Sequence, residues 1–260
     1  MKSVTPKKSL GQHFLKDSAI ASRIVDALAL PNGCKYVLEV GPGMGILTDF
    51  LFDRKDIKTK IIDIDRESAD FLLEKYPEHK NDIINNDFLI IDLEKIFEND
   101  FAIIGNFPYN ISTQILFKVL DHRSKIPEVV GMFQKEVAER IAGEPGGREY
   151  GILSVFMQAW YDVSIIMTLN QDDFTPPPKV KSAVLHFLRK ENFILPCNEK
   201  SFRRIVKAAF NQRRKTLRNA LSSLVTREIS TQLPYADLRA EALSWQQFAE
   251  LTNTIEKLTA

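Results

Sequence analysis

The chain has 260 residues, of which 44% are hydrophobic and 27% charged. This composition suits a folded protein with a substantial core and excludes a disordered or low-complexity chain. No apolar stretch reaches the ~18 residues of a membrane span, and the first residues lack the apolar run of a secretory signal. Cys34 and Cys197 form neither a metal-ligand spacing nor a disulfide framework. We therefore expect a cytoplasmic protein without a bound metal or a membrane partner.

The net charge of +1 conceals an uneven distribution of charged residues along the chain. Up to residue 188 there are 22 basic and 27 acidic residues, whereas the remainder has 13 basic and 7 acidic ones. Such clustering is expected of a protein that binds a polyanion, although a solvated basic helix face would give the same pattern. The candidate contacts to nucleic acid are Lys7, Lys8, Arg203, Arg204, Lys207, Arg213, Arg214, Lys215 and Arg218.

In chain order, the apolar pattern first predicts a helix that Asp17 or Ser18 caps and that ends at residues 31–33. Residues 36–40 form a predicted buried strand, which runs into a glycine turn at 41–45. The elements predicted after this turn are strands at 60–65, 83–84, 101–105 and 129–133, with helices at 46–51, 68–76, 115–119 and 134–141.

The alternation of strands and helices predicts an α/β fold with a mainly parallel sheet and helices on both faces. Two more predicted strands, 163–167 and 183–188, bring the sheet to seven strands and are separated by a loop at 174–178. After residue 189 the pattern contains no strands and many helix formers, which predicts a small all-α domain. We therefore expect two domains, residues 1–189 and residues 190–260.

The glycine turn after the first predicted strand is a candidate ligand site. Without a Cβ, Gly41 and Gly43 let the backbone approach a ligand closely, and ligands of open parallel sheets lie beyond the carboxyl ends of the strands. The dinucleotide pattern G-x-G-x-x-G would need glycine at Ile46, which argues against NAD. The remaining Gly-x-Gly-x-Gly pattern favours an adenosine cofactor without a pyrophosphate, while a simple tight turn stays open as the alternative.

Acidic residues follow the next two predicted strands. Asp63 comes 22 residues after Gly41, where its carboxylate can accept hydrogen bonds from ribose hydroxyls; a strand-end cap is the alternative. Asp87 follows the third strand, so its carboxylate can receive an exocyclic amine while the ring of Phe88 lies on the base. The three strand ends together predict an adenosine pocket.

The tetrapeptide Asn106-Phe107-Pro108-Tyr109 follows another strand at the same edge of the sheet. Pro108 favours an extended Phe107, whose carbonyl can then point into the crevice beside the Asn106 side chain. Two oxygens that accept both N–H bonds of an adenine amine direct its lone pair at an electrophilic methyl, so positioning supplies most of the rate. Tyr109 can stack on a base removed from its helix. The alternative is a strand-to-helix turn with a buried tyrosine.

Seven segments resemble, in matching order, those of the rRNA adenine N6-dimethyltransferase family, and more narrowly its bacterial small-subunit branch. The resemblance extends from about Lys7 to the end of the chain and is specific as a set. The segments are 10–15 (LGQHFL), 39–45 (EVGPGMG), 106–113 (NFPYNIST), 134–140 (QKEVAER), 150–151 (YG), 174–180 (FTPPPKV) and 213–218 (RRKTLR).

The resemblance implies a Rossmann-like class I methyltransferase domain followed by a small helical domain that binds rRNA. It implies S-adenosyl-L-methionine as cofactor and dimethylation of two adjacent adenosines in the 3′-terminal hairpin loop of 16S rRNA. The partner would be the 30S or pre-30S subunit, late in its biogenesis, and the enzyme a monomer. The family's cofactor contacts fall on His13, Leu15, Gly41, Asp63, Asp87 and Asn106, its target recognition on Asn106, Pro108 and Tyr109, and a second base-stacking ring on Phe174.

Three positions depart from the commonest family pattern. His13 stands where asparagine is usual, Asp63 where glutamate is usual, and Phe107 where leucine is usual. The shorter Asp63 side chain needs a water or a local shift to reach a ribose. Phe107 is expected to contribute its backbone carbonyl, so the change from leucine to phenylalanine should matter little. His13 can still donate or accept a hydrogen bond at cofactor distance.

Other functions stay open from the sequence. The 23S rRNA adenine dimethyltransferases share the glycine turn and the Asn-x-Pro-Tyr element, although residues 109–112 and 174–180 fit the small-subunit branch better. A DNA adenine methyltransferase is a weaker alternative. A ribosome-assembly factor whose binding matters more than its catalysis would need only the basic segments.

Overall fold

The computed structural model describes residues 4–259. The strands are β1 (Phe14–Leu15), β2 (Tyr36–Val40), β3 (Lys58–Asp63), β4 (Ile83–Asn85), β5 (Phe101–Asn106), β6 (Glu128–Gln134), β7 (Tyr161–Leu169), β8 (Phe174–Thr175) and β9 (Ser182–Arg189). The helices are α1 (Ser18–Asp26), α2 (Ile46–Asp53), α3 (Arg66–Lys75), α4 (Ser112–Asp121), α5 (Lys135–Ala142), α6 (Ile152–Trp160), α7 (Glu199–Asn211), α8 (Leu217–Ala220), α9 (Arg227–Ser230) and α10 (Trp245–Thr259). None of the helices in this part of the chain combines the length and apolar character needed to cross a membrane.

Seven strands form one sheet in the order β4-β3-β2-β5-β6-β9-β7. The pairs from β4 through β6 are parallel, and β6 pairs with β9 in antiparallel fashion. This confirms the predicted α/β fold with a mainly parallel sheet. The central strands are almost wholly buried, as expected for parallel strands covered on both faces. Because β2, β3 and β5 run in the same direction, their carboxyl ends meet at one edge of the sheet.

A second, two-stranded sheet pairs β1 with β8, with Phe14 opposite Thr175 and Leu15 opposite Phe174. The prediction of a loop at 174–178 is therefore wrong for its first two residues. A strand of two residues is too short to show a period in the sequence, and its partner lies about 160 residues away. The pairing brings the N-terminal segment across the chain to the region before β9.

The chain divides into two compact units. The first combines residues up to Ala138 with Ser164–Arg189, and the second combines Glu139–Val163 with the residues from Lys190 onward. The expected boundary after residue 189 is thus one point where the chain passes between units. Residues 139–163 group with the second unit, whereas the predicted domain boundary leaves them with the first.

The packing of α6 explains why residues 139–163 belong to the second unit. The apolar pattern had not predicted this helix, whose residues are nearly all buried. Phe156 and Trp160 of α6 face Phe202 of α7, with ring centroids 6.0 and 6.1 Å apart. A helix with most of its residues buried has little polar face, so the alternation of apolar and polar residues that predicts a helix is weak. The sequence therefore indicated neither α6 nor its packing on α7.

The ring of Phe107 is a buried anchor beneath the tetrapeptide that follows β5. It has no exposed surface and meets Phe133 edge-on, at 5.4 Å between centroids. A Cβ built on Gly131 would lie 2.3 Å from Cε2 of this ring, so the ring fits only because residue 131 has no side chain. The ring thus packs in the core next to Asn106, and the expectation that the change from leucine matters little to the chemistry stays a prediction.

We expect Gly131→Ala to destabilise the protein by about 1–3 kcal/mol, because the added methyl group overlaps the Phe107 ring. The smaller side chain of Phe107→Leu should relieve that overlap. The double variant is then destabilised by less than the sum of the two single variants. Urea unfolding of the three variants and the wild type measures the coupling, and strictly additive values would contradict this account of the packing.

Candidate functional site

A cavity opens in the first unit, at the carboxyl ends of β2, β3 and β5. It is partly open to solvent, and its wall combines apolar and polar side chains, as the walls of small-molecule sites usually do. The predicted site residues that line it are His13, Gly41, Gly43, Asp63, Asp87, Phe88, Asn106, Pro108 and Tyr109. The structure therefore brings together, from five separate segments, most of the residues predicted to form the site.

The glycine turn contributes to this cavity with a backbone that other residues rarely adopt. Gly41 and Gly43 have φ angles of 72° and 57°, in the left-handed region that favours glycine. A Cβ on Gly43 would lie 2.7 Å from the ring of Phe14. Phe14 belongs to the N-terminal arm, which we define as residues 4–16. The missing side chain of Gly43 thus makes room for the arm.

Asp63 is a buried carboxylate at the end of β3. One of its oxygens accepts the Gly43 N–H at 3.3 Å, and the other accepts the Asp65 N–H at 2.8 Å. Burial raises the pKa of Asp63 to about 6, against the opposing effect of these two hydrogen bonds. Both predicted roles of the residue are compatible with this geometry, because the carboxylate caps the turn and also lines the cavity.

Asp87 and Phe88 follow β4 and line the same cavity. One Asp87 oxygen accepts the Leu89 N–H at 2.8 Å, while Phe88 is buried and has the Lys118 ammonium 5.3 Å from its ring centroid. Ile64, which sequence analysis did not select, also lines the cavity and is 52% exposed. A large exposed apolar side chain in a cavity wall is typical of a ligand contact, and its position directly after Asp63 was the available clue.

The side-chain amide of Asn106 has a defined orientation. Its Nδ2 atom donates a hydrogen bond to the backbone carbonyl of His13 at 2.7 Å. Because the nitrogen is engaged in this way, Oδ1 is the atom that the amide can offer to a ligand as an acceptor. Asn106 is half-buried and lines the cavity.

Two contacts hold the ring of Tyr109. The ring of His13 stacks on it, with centroids 5.5 Å apart and planes inclined by 28°. The hydroxyls of Tyr109 and Ser182 share a hydrogen bond of 2.5 Å, and burial raises the pKa of Tyr109. His13 itself is anchored because its Nδ1 atom donates to the Pro176 carbonyl at 2.7 Å. Tyr109 therefore has one orientation in the cavity wall.

Phe174 is placed differently from the expectation. We expected it to stack on a base, but its ring is only 1% exposed and packs in the hydrophobic core with Leu15, Leu47 and Leu51. It lines neither the cavity described above nor the second one described below. The physical reason is the pairing of β8 with β1, which leaves this ring on the core side of the two-stranded sheet.

A second cavity shares Phe14, Gly41 and Asn106 with the first, and Leu15 also lines it. Its buried polar group is the carboxyl of Glu39, to which the Thr48 hydroxyl donates at 2.6 Å. Burial raises the pKa of Glu39 to about 8, although the hydrogen bond from Thr48 opposes this shift. Sequence analysis assigned no role to Glu39, although a lone acid inside the apolar strand β2 is an unusual feature.

The two basic candidates of the N-terminal arm differ in their surroundings. The Lys7 ammonium forms ion pairs with Asp65 and, at 3.1 Å, with Glu67. The hydrogen bond to Asp65 raises the pKa of Lys7. Lys8 is exposed to solvent. Lys7 therefore links the arm to the start of α3, and its contact with nucleic acid stays a prediction.

In the second unit, three of the basic candidates have partners within the unit itself. These contacts place the three guanidinium groups beside other groups of the unit, while the Arg213 and Arg218 side chains remain 40% and 46% exposed. The partners are Glu199, Phe156 and Trp160 for Arg203, the Arg148 carbonyl and Glu241 for Arg213, and Asp237 for Arg218.

The remaining basic candidates of this unit face solvent. Arg204 and Lys207 lie three residues apart on α7, so they share one helix face. Arg214 and Lys215 follow the helix and are also exposed. Among residues 4–259, these four side chains form no ion pair with a carboxylate. They are therefore exposed cations that are free to meet an external anion.

The first cavity is suited to binding and orienting a nucleoside. Carboxylates at the ends of β3 and β4 can accept hydrogen bonds from hydroxyls or amines, and the apolar side chains of Ile64 and Phe88 can contact a flat ring. The Asn106 oxygen can accept an amine proton beside the aromatic ring of Tyr109. Chemistry in such a site depends on the position of the reacting groups.

Comparisons with known proteins find similarity over nearly the whole chain. The model of a family described as "Ribosomal RNA adenine dimethylase" matches residues 4–257. The chain is 56% identical to "Ribosomal RNA small subunit methyltransferase A" of Cytophaga hutchinsonii, over 98% of this chain and 99% of that protein. A solved dimethyladenosine transferase from Plasmodium falciparum has a TM-score of 0.79 at 26% identity, with 94% of this chain and 98% of that chain covered. The solved 23S rRNA methyltransferase ErmE has a TM-score of 0.70 at 25% identity, with 92% and 99% covered.

We expect the unfolding free energy of the wild type to fall relative to that of Asp63→Asn as the pH rises from about 4 to about 6. The Asp63 pKa is raised from 3.8 to about 6, so in this window the folded state retains a proton that the unfolded state has released. The difference amounts to about 3 kcal/mol across the window. Urea unfolding between pH 4 and pH 8 measures it.

The control for this titration is Glu74→Gln, which removes an exposed carboxylate of α3. Its stability relative to the wild type should change little over the same range. A difference between wild type and Asp63→Asn that does not vary with pH would show that burial does not raise the Asp63 pKa.

Proposed function

The chain belongs to the ribosomal RNA adenine dimethylase family, and on this premise we propose that it dimethylates N6 of two adjacent adenosines in the 3′-terminal hairpin loop of 16S rRNA. The proposed methyl donor is S-adenosyl-L-methionine, and the proposed timing is late in 30S biogenesis. The observation that carries the proposal is the orientation of the Asn106 side-chain amide. Its nitrogen is bound by the His13 carbonyl, and its oxygen is the acceptor available to an amine in the cavity.

The side chains that line the first cavity fit an adenosyl cofactor. The Asp63 carboxylate would accept the ribose hydroxyls, and Asp87 would accept the adenine amine between the apolar surfaces of Phe88 and Ile64. The backbone at Gly41 and Gly43, together with Leu15 and His13, would complete the contacts along the two cavities. When bound, the cofactor supplies an electrophilic methyl group on a positively charged sulfur.

The Asn106 side chain and the Phe107 carbonyl would together accept both N–H bonds of the target amine. This favours a more tetrahedral nitrogen and directs its lone pair towards the methyl carbon. Held by Asp63, Asp87 and the glycine turn, the cofactor would supply the methyl group to which this lone pair bonds, and the displaced electron pair would remain with the cofactor's sulfur. One N–H proton then passes to water. Pro108 keeps Phe107 extended, so the residues act by positioning.

Tyr109 would hold the extruded target adenine by stacking. One face of its ring is already covered by His13, so the base would use the opposite face. The hydrogen bond to Ser182 keeps the ring from turning when the base enters. Since Phe174 is buried in the core, we assign the stacking to Tyr109 alone.

We propose that residues 1–189 carry methyl transfer and that residues 190–260 carry most of the rRNA binding, with 139–163 joining the latter unit. Arg204, Lys207, Arg214 and Lys215 would contact phosphates, because they are exposed and free of internal ion pairs among the described residues. Exposed Lys8 would add a contact from the arm. The enzyme would act as a monomer in the cytoplasm on a 30S or pre-30S particle.

Specificity for the small subunit has support from the comparisons. The relative that is 56% identical has a name that refers to the small subunit, whereas the 23S rRNA enzyme is 25% identical. The assay that separates these functions offers labelled cofactor with under-methylated 30S subunits, 23S RNA or DNA, and maps the modified nucleotides. We expect dimethyladenosine at two adjacent positions near the 3′ end of 16S rRNA. Label only in 23S RNA or in DNA would overturn the proposal.

We expect Asn106→Ala to lower the rate of methyl transfer by about 10²–10³-fold, because one acceptor that orients the target amine is lost. Binding to 30S subunits should change little, since the basic residues remain. The control is Asn81→Ala, an exposed asparagine outside the lining of the cavity. Loss of 30S binding together with activity would contradict this division of roles and favour a protein that acts mainly by binding.

We expect Lys207→Ala and Arg214→Ala each to reduce the slope of log affinity for rRNA against log salt by about 1, because each removes one phosphate contact. The control is Arg227→Ala, which removes an exposed cation of α9 outside the basic segment. Filter binding at several salt concentrations measures the slopes. Unchanged slopes for both variants would assign these residues to a solvated helix face.

A further inference from the structure

The N-terminal arm crosses the edge of the sheet at which the cavity opens. Near its start, Lys7 forms an ion pair with Asp65, just beyond β3. Near its end, the ring of Phe14 lies against Gly43 in the turn after β2. Between these points the arm reaches the end of β5, where the His13 carbonyl accepts the Asn106 amide. The arm thus contacts the ends of three neighbouring strands.

The arm is also part of the cavity wall. Five consecutive residues of the arm, 10–14, line the first cavity. A ligand in that cavity is therefore enclosed partly by the sheet edge and partly by the arm. Any contact that holds the arm in place then contributes to the affinity for the ligand, even when it does not touch the ligand.

Asp65 is the principal attachment point of the arm. It is only 4% exposed, and its carboxylate receives the Lys7 ammonium and, at 3.2 Å, the Gln12 amide. Although burial works in the opposite direction, hydrogen bonds from Lys7 and Gln12 lower the pKa of Asp65. Glu67 adds two further contacts to the arm, with the Thr5 N–H at 3.1 Å and Lys7 at 3.1 Å.

Asp65 and the predicted ribose ligand belong to the same turn. The Asp63 carboxylate accepts the Asp65 N–H at 2.8 Å, so the two side chains are linked through one backbone group. Asp63 is directed to the cavity, whereas Asp65 is directed to the arm. The turn therefore connects ligand recognition with the attachment of the arm.

We propose that Lys7 and Asp65 are a positioning pair that holds the N-terminal arm closed over the adenosyl cofactor. The inference rests on the proposed function, from which the identity of the ligand is taken. Neither residue touches the ligand in this proposal. Their ion pair acts by keeping the arm residues 10–14 in the cavity wall.

A purely structural role for Asp65 has a different consequence. Asp65 also caps α3, because its carboxylate accepts the Glu67 N–H at 3.1 Å. Replacing Lys7 leaves this cap intact and removes only the link to the arm. Lys7→Met is therefore the diagnostic variant. Because it keeps the Asp65 cap, weaker ligand binding in this variant must come from the lost link to the arm.

The test measures the affinity for S-adenosylhomocysteine by calorimetry in the absence of RNA. We expect Lys7→Met to weaken binding by about fivefold or more, because a smaller fraction of molecules has the arm closed. Lys7→Arg should restore most of the affinity. Added salt should weaken ligand binding to the wild type more than to Lys7→Met, because salt screens the partly exposed ion pair. Amide exchange of residues 5–14 should slow on ligand binding in the wild type and less so in Lys7→Met.

The control is Lys80→Met, an exposed lysine of the same unit outside the cavity lining. Glu67→Gln provides a second variant at the arm and should weaken binding in the same direction. Equal affinity of the wild type, Lys7→Met and Glu67→Gln would overturn the positioning pair while leaving the proposed cofactor in place. A wild type that does not bind S-adenosylhomocysteine would overturn the proposed function itself, together with the pair.

Discussion

The hydrogen bond from the Asn106 amide to the His13 carbonyl is the interaction on which the site depends. It joins the end of the central strand β5 to the N-terminal arm and decides which atom of the amide is available to a ligand. The bond requires the arm to lie across the sheet edge, and that path exists because Gly43 has no side chain in the way of Phe14. The ring of Phe107, packed over Gly131, holds the other partner in position.

The same edge of the sheet contains acids with opposite titration behaviour. Burial raises the pKa values of Glu39 and Asp63, whereas hydrogen bonds from Lys7 and Gln12 lower that of Asp65. Asp63 and Asp65 are only two residues apart, so their difference arises from their partners in space. Asp63 has no ion pair among the described residues and lines the cavity, whereas Asp65 is paired with Lys7 and holds the arm.

The basic side chains of the second unit also differ in their partners in space. Arg203, Arg213 and Arg218 are engaged by partners within the unit, while the exposed cations of α7 and of the segment after it have none among the described residues. One basic stretch of sequence therefore contains both paired and unpaired cations.

The sequence by itself determined the parallel sheet and the grouping of Gly41, Asp63, Asp87 and Asn106, because parallel strands carry the residues at their carboxyl ends to one common edge. It could not show that Phe174 is buried, that Lys7 is paired with Asp65, or that α6 packs on α7. Each of these depends on partners between about 40 and 160 residues away. Periodicity and motifs describe a residue's neighbours along the chain, whereas burial and ion pairing are properties of the neighbours that folding supplies.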